Sequence, residues 1–220
     1  MRISELSELT GVSIASIKYY VREGLLPGGS PEGRNQTDYT DSHAARLRLI
    51  RAFLDVGGLS VSASRAVLAA LDDEVPFGVA ASVASAALPT AAPRTGPTGP
   101  GRATLDALTA KLGWTVDAQN PGMELASRVI DDYTALGRED LLSTLDPYAN
   151  AALQVAEADL DAVAASGNPE AMAETVVIGT VLGDSLLAGL RRMAHEHLTR
   201  TRFPVPPEAF DSYHPERKTS

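Results

Sequence analysis

Two short helical patterns joined by one glycine-bearing turn open the chain, and they restrict its fold more than any other feature. Ile3, Leu6 and Leu9 recur at helical spacing behind Ser4, which can cap the first pattern. Ser13 caps a second pattern that runs to about Glu23 and stops at Gly24. Between them, Thr10-Gly11-Val12 leaves room only for a tight turn, and Gly11 has the backbone freedom that such a turn needs. Ile3, Leu6, Leu9, Val12 and Ile17 can then close into one small core. This is the pattern of a helix-turn-helix.

The following segments continue in short units. Residues 27–37 are rich in Gly, Pro, Asn and Gln, which suits a loop or a small hairpin. A third helical pattern follows Asp41, with Leu47, Ile50 and Leu54 as its inward stripe; Gly57-Gly58 breaks it, and Ser60 starts a fourth that ends at Leu71. Residues 88–102 hold four prolines and three glycines in 15 positions, a composition that cannot bury a core and reads as a linker or long surface loop. Beyond it the patterns are helical again: 104–112 with Leu105, Leu108 and Leu112 on one side, then about 123–136, 139–165 with a break near Pro147, and 169–200. No segment sustains a two-residue alternation. The expectation is an all-α fold, with a helical bundle in the second half and a loosely held tail over the last 17 residues.

Composition removes several function classes. Cysteine is absent, which excludes disulfides, thiolate metal sites and thiol redox sensing. His195 and His197, two apart on a helix, point to different faces, and Arg192 and Arg200 flank Glu196 at four-residue spacing as a solvated ion-pair face. No metal or cofactor is expected. Nothing resembles a nucleophile–base pair, a phosphate-cradling loop or a catalytic carboxylate set, so no enzyme is expected either. No apolar stretch follows Arg2 and no long uncharged apolar run occurs, so the reading is a cytoplasmic chain without signal peptide or membrane partner.

The net charge of −9 divides unevenly. Residues 1–71 carry 8 Lys/Arg and 7 Asp/Glu, whereas the remainder carries 11 and 21. A near-neutral N-terminal unit can still present a basic face to nucleic acid. The outer face of the second helix offers Ser13, Ser16, Lys18, Tyr19, Tyr20 and Arg22, the hydroxyl, ammonium, phenol and guanidinium groups that bond phosphates and base edges. Its N-terminus at Ser13 adds free backbone N–H groups.

The string SIASIKYYVREGLLP, residues 13–27, closely resembles the recognition helix and wing entry of the MerR family of transcription regulators. RISELSELTGV before it is similar to the family's opening helix, and Tyr39, the Leu47-Ile50-Leu54 stripe and Gly57-Gly58-Leu59-Ser60 resemble its third and fourth helices. The resemblance covers residues 1–71 and implies a winged helix-turn-helix that contacts DNA through Arg2, Ser13, Ser16, Lys18, Tyr19, Tyr20, Arg22, Arg34 and Tyr39. The wing departs from the family's Gly-Tyr-Arg-x-Tyr: here Gly33-Arg34-Asn35-Gln36-Thr37-Asp38-Tyr39 keeps the tyrosine but shifts the arginine, a form that looks like an actinobacterial branch of the family.

The domain reading is then 1–71 for DNA, 72–102 as connector and linker, 103–203 as a helical effector or dimerisation domain, and 204–220 as the tail. The family's long dimer helix is not expected, since Pro76-Phe77-Gly78 interrupts the chain where it belongs. The apolar stretch 176–190, with Gly179 and Gly183, is either a dimer face or the buried centre of a bundle. Trp114, Tyr133 and Tyr148 are either effector contacts or ordinary core. The resemblance implies a homodimer on double-stranded promoter DNA that acts on RNA polymerase indirectly and has room to respond to a small-molecule effector. The alternative is a protein that sequesters a small molecule, with DNA binding secondary.

Overall fold

The computed structural model describes residues 1–31, 37–89 and 99–204. The opening helices are α1 (Ile3–Thr10) and α2 (Ile14–Arg22), and α1 starts earlier than the sequence reading, with Arg2 in place of Ser4 as its N-cap and with Leu9 exposed instead of in the core. Gly11 turns the chain with φ +68, and its N–H donates to the Ser7 carbonyl. Ser13 caps α2, its hydroxyl accepting from the Ser16 N–H at 3.1 Å. Two-residue strands, β1 (Ser30–Pro31) and β2 (Thr37–Asp38), pair antiparallel as the base of a wing.

Helix α3 (Asp41–Arg51) runs on into a wider π-type turn at Ala52–Val56, and α4 (Val61–Asp72) starts at Ser60, whose hydroxyl accepts from the Ala63 N–H. Within the stretch expected to connect the two halves lies a further helix, α5 (Phe77–Ala87), packed on α4 and on the last helix. Its eleven residues are too short for a long antiparallel dimer pair. After the linker come α6 (Gly101–Leu112), α7 (Pro121–Ala135), a 3₁₀ turn at Glu139–Thr144, α8 (Leu145–Ala165) and α9 (Pro169–Arg202). The 3₁₀ turn precedes Pro147, which then sits in the first turn of α8, where a missing N–H costs nothing.

The main core gathers Leu6, Ile17, Leu25, Leu47, Ile50, Phe53 and Leu68, all essentially inaccessible. Each such side chain contributes roughly 1.5–3 kcal/mol of burial. Ala173, Val177 and Val181 of α9 join this same cluster. The final helix is therefore part of the core under the helix-turn-helix. The contact is close: a Cβ on Gly57 would collide with the Val181 side chain and the Phe53 carbonyl, and Ser185 Oγ donates to the Val56 carbonyl at 2.9 Å. A second, small cluster of Leu105, Met123 and Ile130 joins α6 to α7.

Candidate nucleic-acid interface

The direction of each side chain on α2 follows from Ile17, which is fully buried. At about 100° per residue, Lys18, Tyr19 and Arg22 fall on the outward half and Tyr20 and Val21 on the inward half. Lys18 and Arg22 are exposed, and the Arg22 guanidinium lies 5.1 Å over the Tyr19 ring. Tyr19 meets Tyr20 edge-on at 5.8 Å. Tyr20 packs against the core margin, where burial pushes its phenol up, with the Asp55 carboxylate adding to the rise. Tyr20, read from the sequence as an outward contact, is thus partly buried against the core instead of standing free on the outer face. Ser13 and Ser16 stand at the helix start, 2.8 Å apart through their hydroxyls.

The wing is tied to the opening helix by the chain terminus. The Met1 ammonium donates to Asp38 Oδ1 at 2.5 Å and to the Tyr39 carbonyl at 2.7 Å, and the Tyr39 N–H donates back to the Met1 carbonyl at 2.8 Å. Arg2 is exposed beside this clamp, its N–H donating to Glu5. Tyr39 itself is 7% exposed, with its ring edge-on to His43 at 5.2 Å, so it is mainly a core residue that holds the wing base. Arg34 lies outside the described residues. The Met1 clamp has no sequence signature, because it depends on where the fold places the terminus.

At the far end of α2, Arg65 of α4 donates to the Glu23 carbonyl at 2.6 Å and reaches its carboxylate at 3.3 Å. Arg46 of α3 binds Asp72 through both nitrogens, at 2.9 and 2.6 Å, and donates to the Leu25 carbonyl at 3.0 Å. The C-terminal end of α2 is thus fastened to both α3 and α4.

Residues 1–71 match the model of the MerR HTH family regulatory protein. Over nearly the whole chain, the fold matches the crystal structure of the "putative transcriptional regulator SCO5550 from Streptomyces coelicolor A3(2)", with 31% sequence identity, a TM-score of 0.67, and coverage of 94% of this chain and 99% of that one. The chain belongs to the MerR family. No curated protein matches it. The α2 face with Lys18, Tyr19 and Arg22 lies within the part of the chain that matches the MerR HTH model, and the likeness to the Streptomyces protein extends through the helical second half.

In that second half the three aromatics stand on separate elements. Trp114 is half-buried just after α6, Tyr133 is half-buried on α7, and Tyr148 is exposed on α8, with Arg191 donating to its hydroxyl at 2.8 Å. A cleft of about 1050 Å³ lies elsewhere, and none of the three lines it. Its walls are α3, the α4–α5 turn and the first turns of α9, including His43, Leu49, Val75 and Glu170. The ligand-pocket reading of Trp114, Tyr133 and Tyr148 gains no support from this placement. No side-chain pattern in the sequence announced the cleft, since it arises where α9 returns to the N-terminal unit.

Proposed function

We propose that this regulator binds double-stranded promoter DNA as a homodimer, with α2 in the major groove and the wing beside it. The observation that carries this reading is the outward face of α2: two cations and a phenol, Lys18, Arg22 and Tyr19, on a helix whose inner face is fixed by Ile17. In this reading the mode of action follows the MerR resemblance: the dimer bends and untwists the promoter and so acts on RNA polymerase indirectly. Such distortion costs on the order of a few kcal/mol, supplied by phosphate contacts. A two-fold protein matches a pseudo-palindromic site.

A small-molecule effector fits the cleft between α3, the α4–α5 turn and α9, whose volume of about 1050 Å³ is at the upper end for drug-sized ligands. A molecule there touches both the DNA-binding frame and the helix that completes its core. The same cleft is what favours the alternative, a protein that sequesters its ligand with DNA binding secondary.

The test is a salt titration of binding to the intergenic DNA upstream of the protein's own gene. Binding to an inverted repeat, with affinity falling linearly in log salt, supports the regulator; equal affinity for unrelated DNA overturns it. Ligands found by thermal shift then separate the two readings, since a sequestering protein binds them without any change in DNA occupancy.

A further inference from the structure

Helices α8 and α9 form an antiparallel hairpin, closed at one end by the Ser166–Thr175 hydroxyl pair at 2.7 Å and bridged at the other by Arg191 and Tyr148. It buries little of its own apolar surface. On α8 only Ala149 and Val163 are buried, and on α9 nothing beyond Val181 is. Leu153, Leu160, Leu186, Leu190 and Met193 are exposed, Met193 by 67%. Leu186, Leu190, Met193 and His197 follow a four–three–four spacing in line with Gly179 and Gly183, the register of a helix-packing seam. An 18-residue window of α9 has a mean hydropathy of 1.4, yet only 17% of it is buried. A stripe of this kind on a helix is stable in water only against a partner.

The surface beside the seam shows what the partner looks like. A groove of about 340 Å³ runs between the end of α5, α7, α8 and α9, lined by Leu88, Leu125, Val155 and Leu187 together with Asp159 and Asp184. Gly179 and Gly183 also line it, and a Cβ on either would meet nothing within 4 Å among the described residues. Helix α8 carries Asp146, Glu157, Asp159 and Asp161 and no Lys or Arg. Residues 185–202 of α9 carry Arg191, Arg192, Arg200 and Arg202 against Glu196 alone. Among the described residues no ion pair engages Glu157, Asp159 or Asp161.

We propose that a second copy of this chain covers this face, with the basic, leucine-bearing end of its α9 running antiparallel into the glycine-lined groove. The direction follows from the charges. Counted from the closed end of the hairpin, Asp159, Asp161 and Asp184 all come before Arg191, and the arginines occupy the open end and beyond, so an antiparallel two-fold centred between the two groups brings arginines onto carboxylates in both halves of the interface. A parallel pair would stack arginine on arginine. The seam and the groove are both self-supplied, since each copy offers one of each. This rests on the dimer reading above and deepens it by naming the surface.

Light scattering of the full chain tests it, together with exposed charge reversals that leave the fold intact by circular dichroism. The wild type is expected at twice the 23.1 kDa chain mass. Arg192→Glu/Arg200→Glu and Asp159→Arg/Asp184→Arg are each expected to raise the dimer Kd at least about tenfold, and an equimolar mixture of the two is expected to recover the dimer. Wild-type dimers indifferent to both reversals overturn the interface and leave the dimer reading standing. A wild-type monomer at DNA-binding concentrations, or one that pellets with phosphatidylcholine vesicles through α9 instead, overturns both.

Discussion

Arg65 of α4 donates to the backbone carbonyl of Glu23 at 2.6 Å, which fastens the last turn of the recognition helix to a helix 42 residues further along the chain. The bond occupies a carbonyl that α2 itself can no longer use, because Gly24 turns the chain away with φ +70. Arg65→Ala is expected to lower stability by about 1 kcal/mol, a fall in Tm of roughly 2–4 °C in a chain of this size. Calorimetry reads the stability change. DNA affinity, measured well below the Tm, is expected to fall further than that of an equally destabilised core variant, since the end of α2 loses its anchor.

Lys18 and Arg22 are exposed on the outward half of α2 and are not needed by the core. Lys18→Ala is expected to leave the Tm within about 1 °C and to reduce the slope of log affinity against log salt by about 1. Arg22→Ala is expected to act similarly, with added loss from Tyr19, whose ring it covers. Unchanged slopes in both variants would remove this face from the interface.

The Tyr20 phenol titrates above the ordinary tyrosine value of 10.0, first because burial penalises the phenolate and then because Asp55 repels it. The folded chain therefore holds this proton more tightly than the unfolded chain does. That contribution to stability is complete below about pH 10 and is lost as the pH rises through the raised folded value. An ultraviolet titration of phenolate is expected to show a late component that disappears in Tyr20→Phe. The variant's stability is also expected to fall less steeply above pH 10 than the wild type's.

Two glycines should respond in opposite ways. Gly57→Ala forces a methyl group against Val181 and the Phe53 carbonyl, and an overpacking cost of about 1–3 kcal/mol is expected. Gly179→Ala meets nothing within 4 Å among the described residues and removes a helix-interior glycine, so the monomer is expected to gain about 0.5–1 kcal/mol. Chemical denaturation of dilute protein compares the two.

The parts legible in the sequence were those set by neighbours in the chain. Ser13, Ser60, Gly11 and Gly24 placed the helix ends within a residue or two because caps and left-handed turns are local devices. The residue types on α2 were equally readable, although the raised phenol of Tyr20 depends in part on Asp55 in the turn at Ala52–Val56, which local pattern does not reveal. Helix α5 was not anticipated, since Pro76-Phe77-Gly78 looks like an interruption although the proline serves as its start. The split role of residues 176–190 was harder still. Val177 and Val181 bury against Gly57 and Phe53 while Leu186 and Leu190 stay exposed, and only the long-range course of α9 separates the two groups.

The packing of Val177 and Val181 beneath the helix-turn-helix also bears on synthesis. A ribosome releases the first seventy residues long before the valines that complete their core, so the nascent DNA-binding unit carries an open apolar seat while more than a hundred residues are still to come. Competence to hold an operator arrives late, with the last helix, and a chain cut short before α9 would not leave behind a finished DNA-binding fragment.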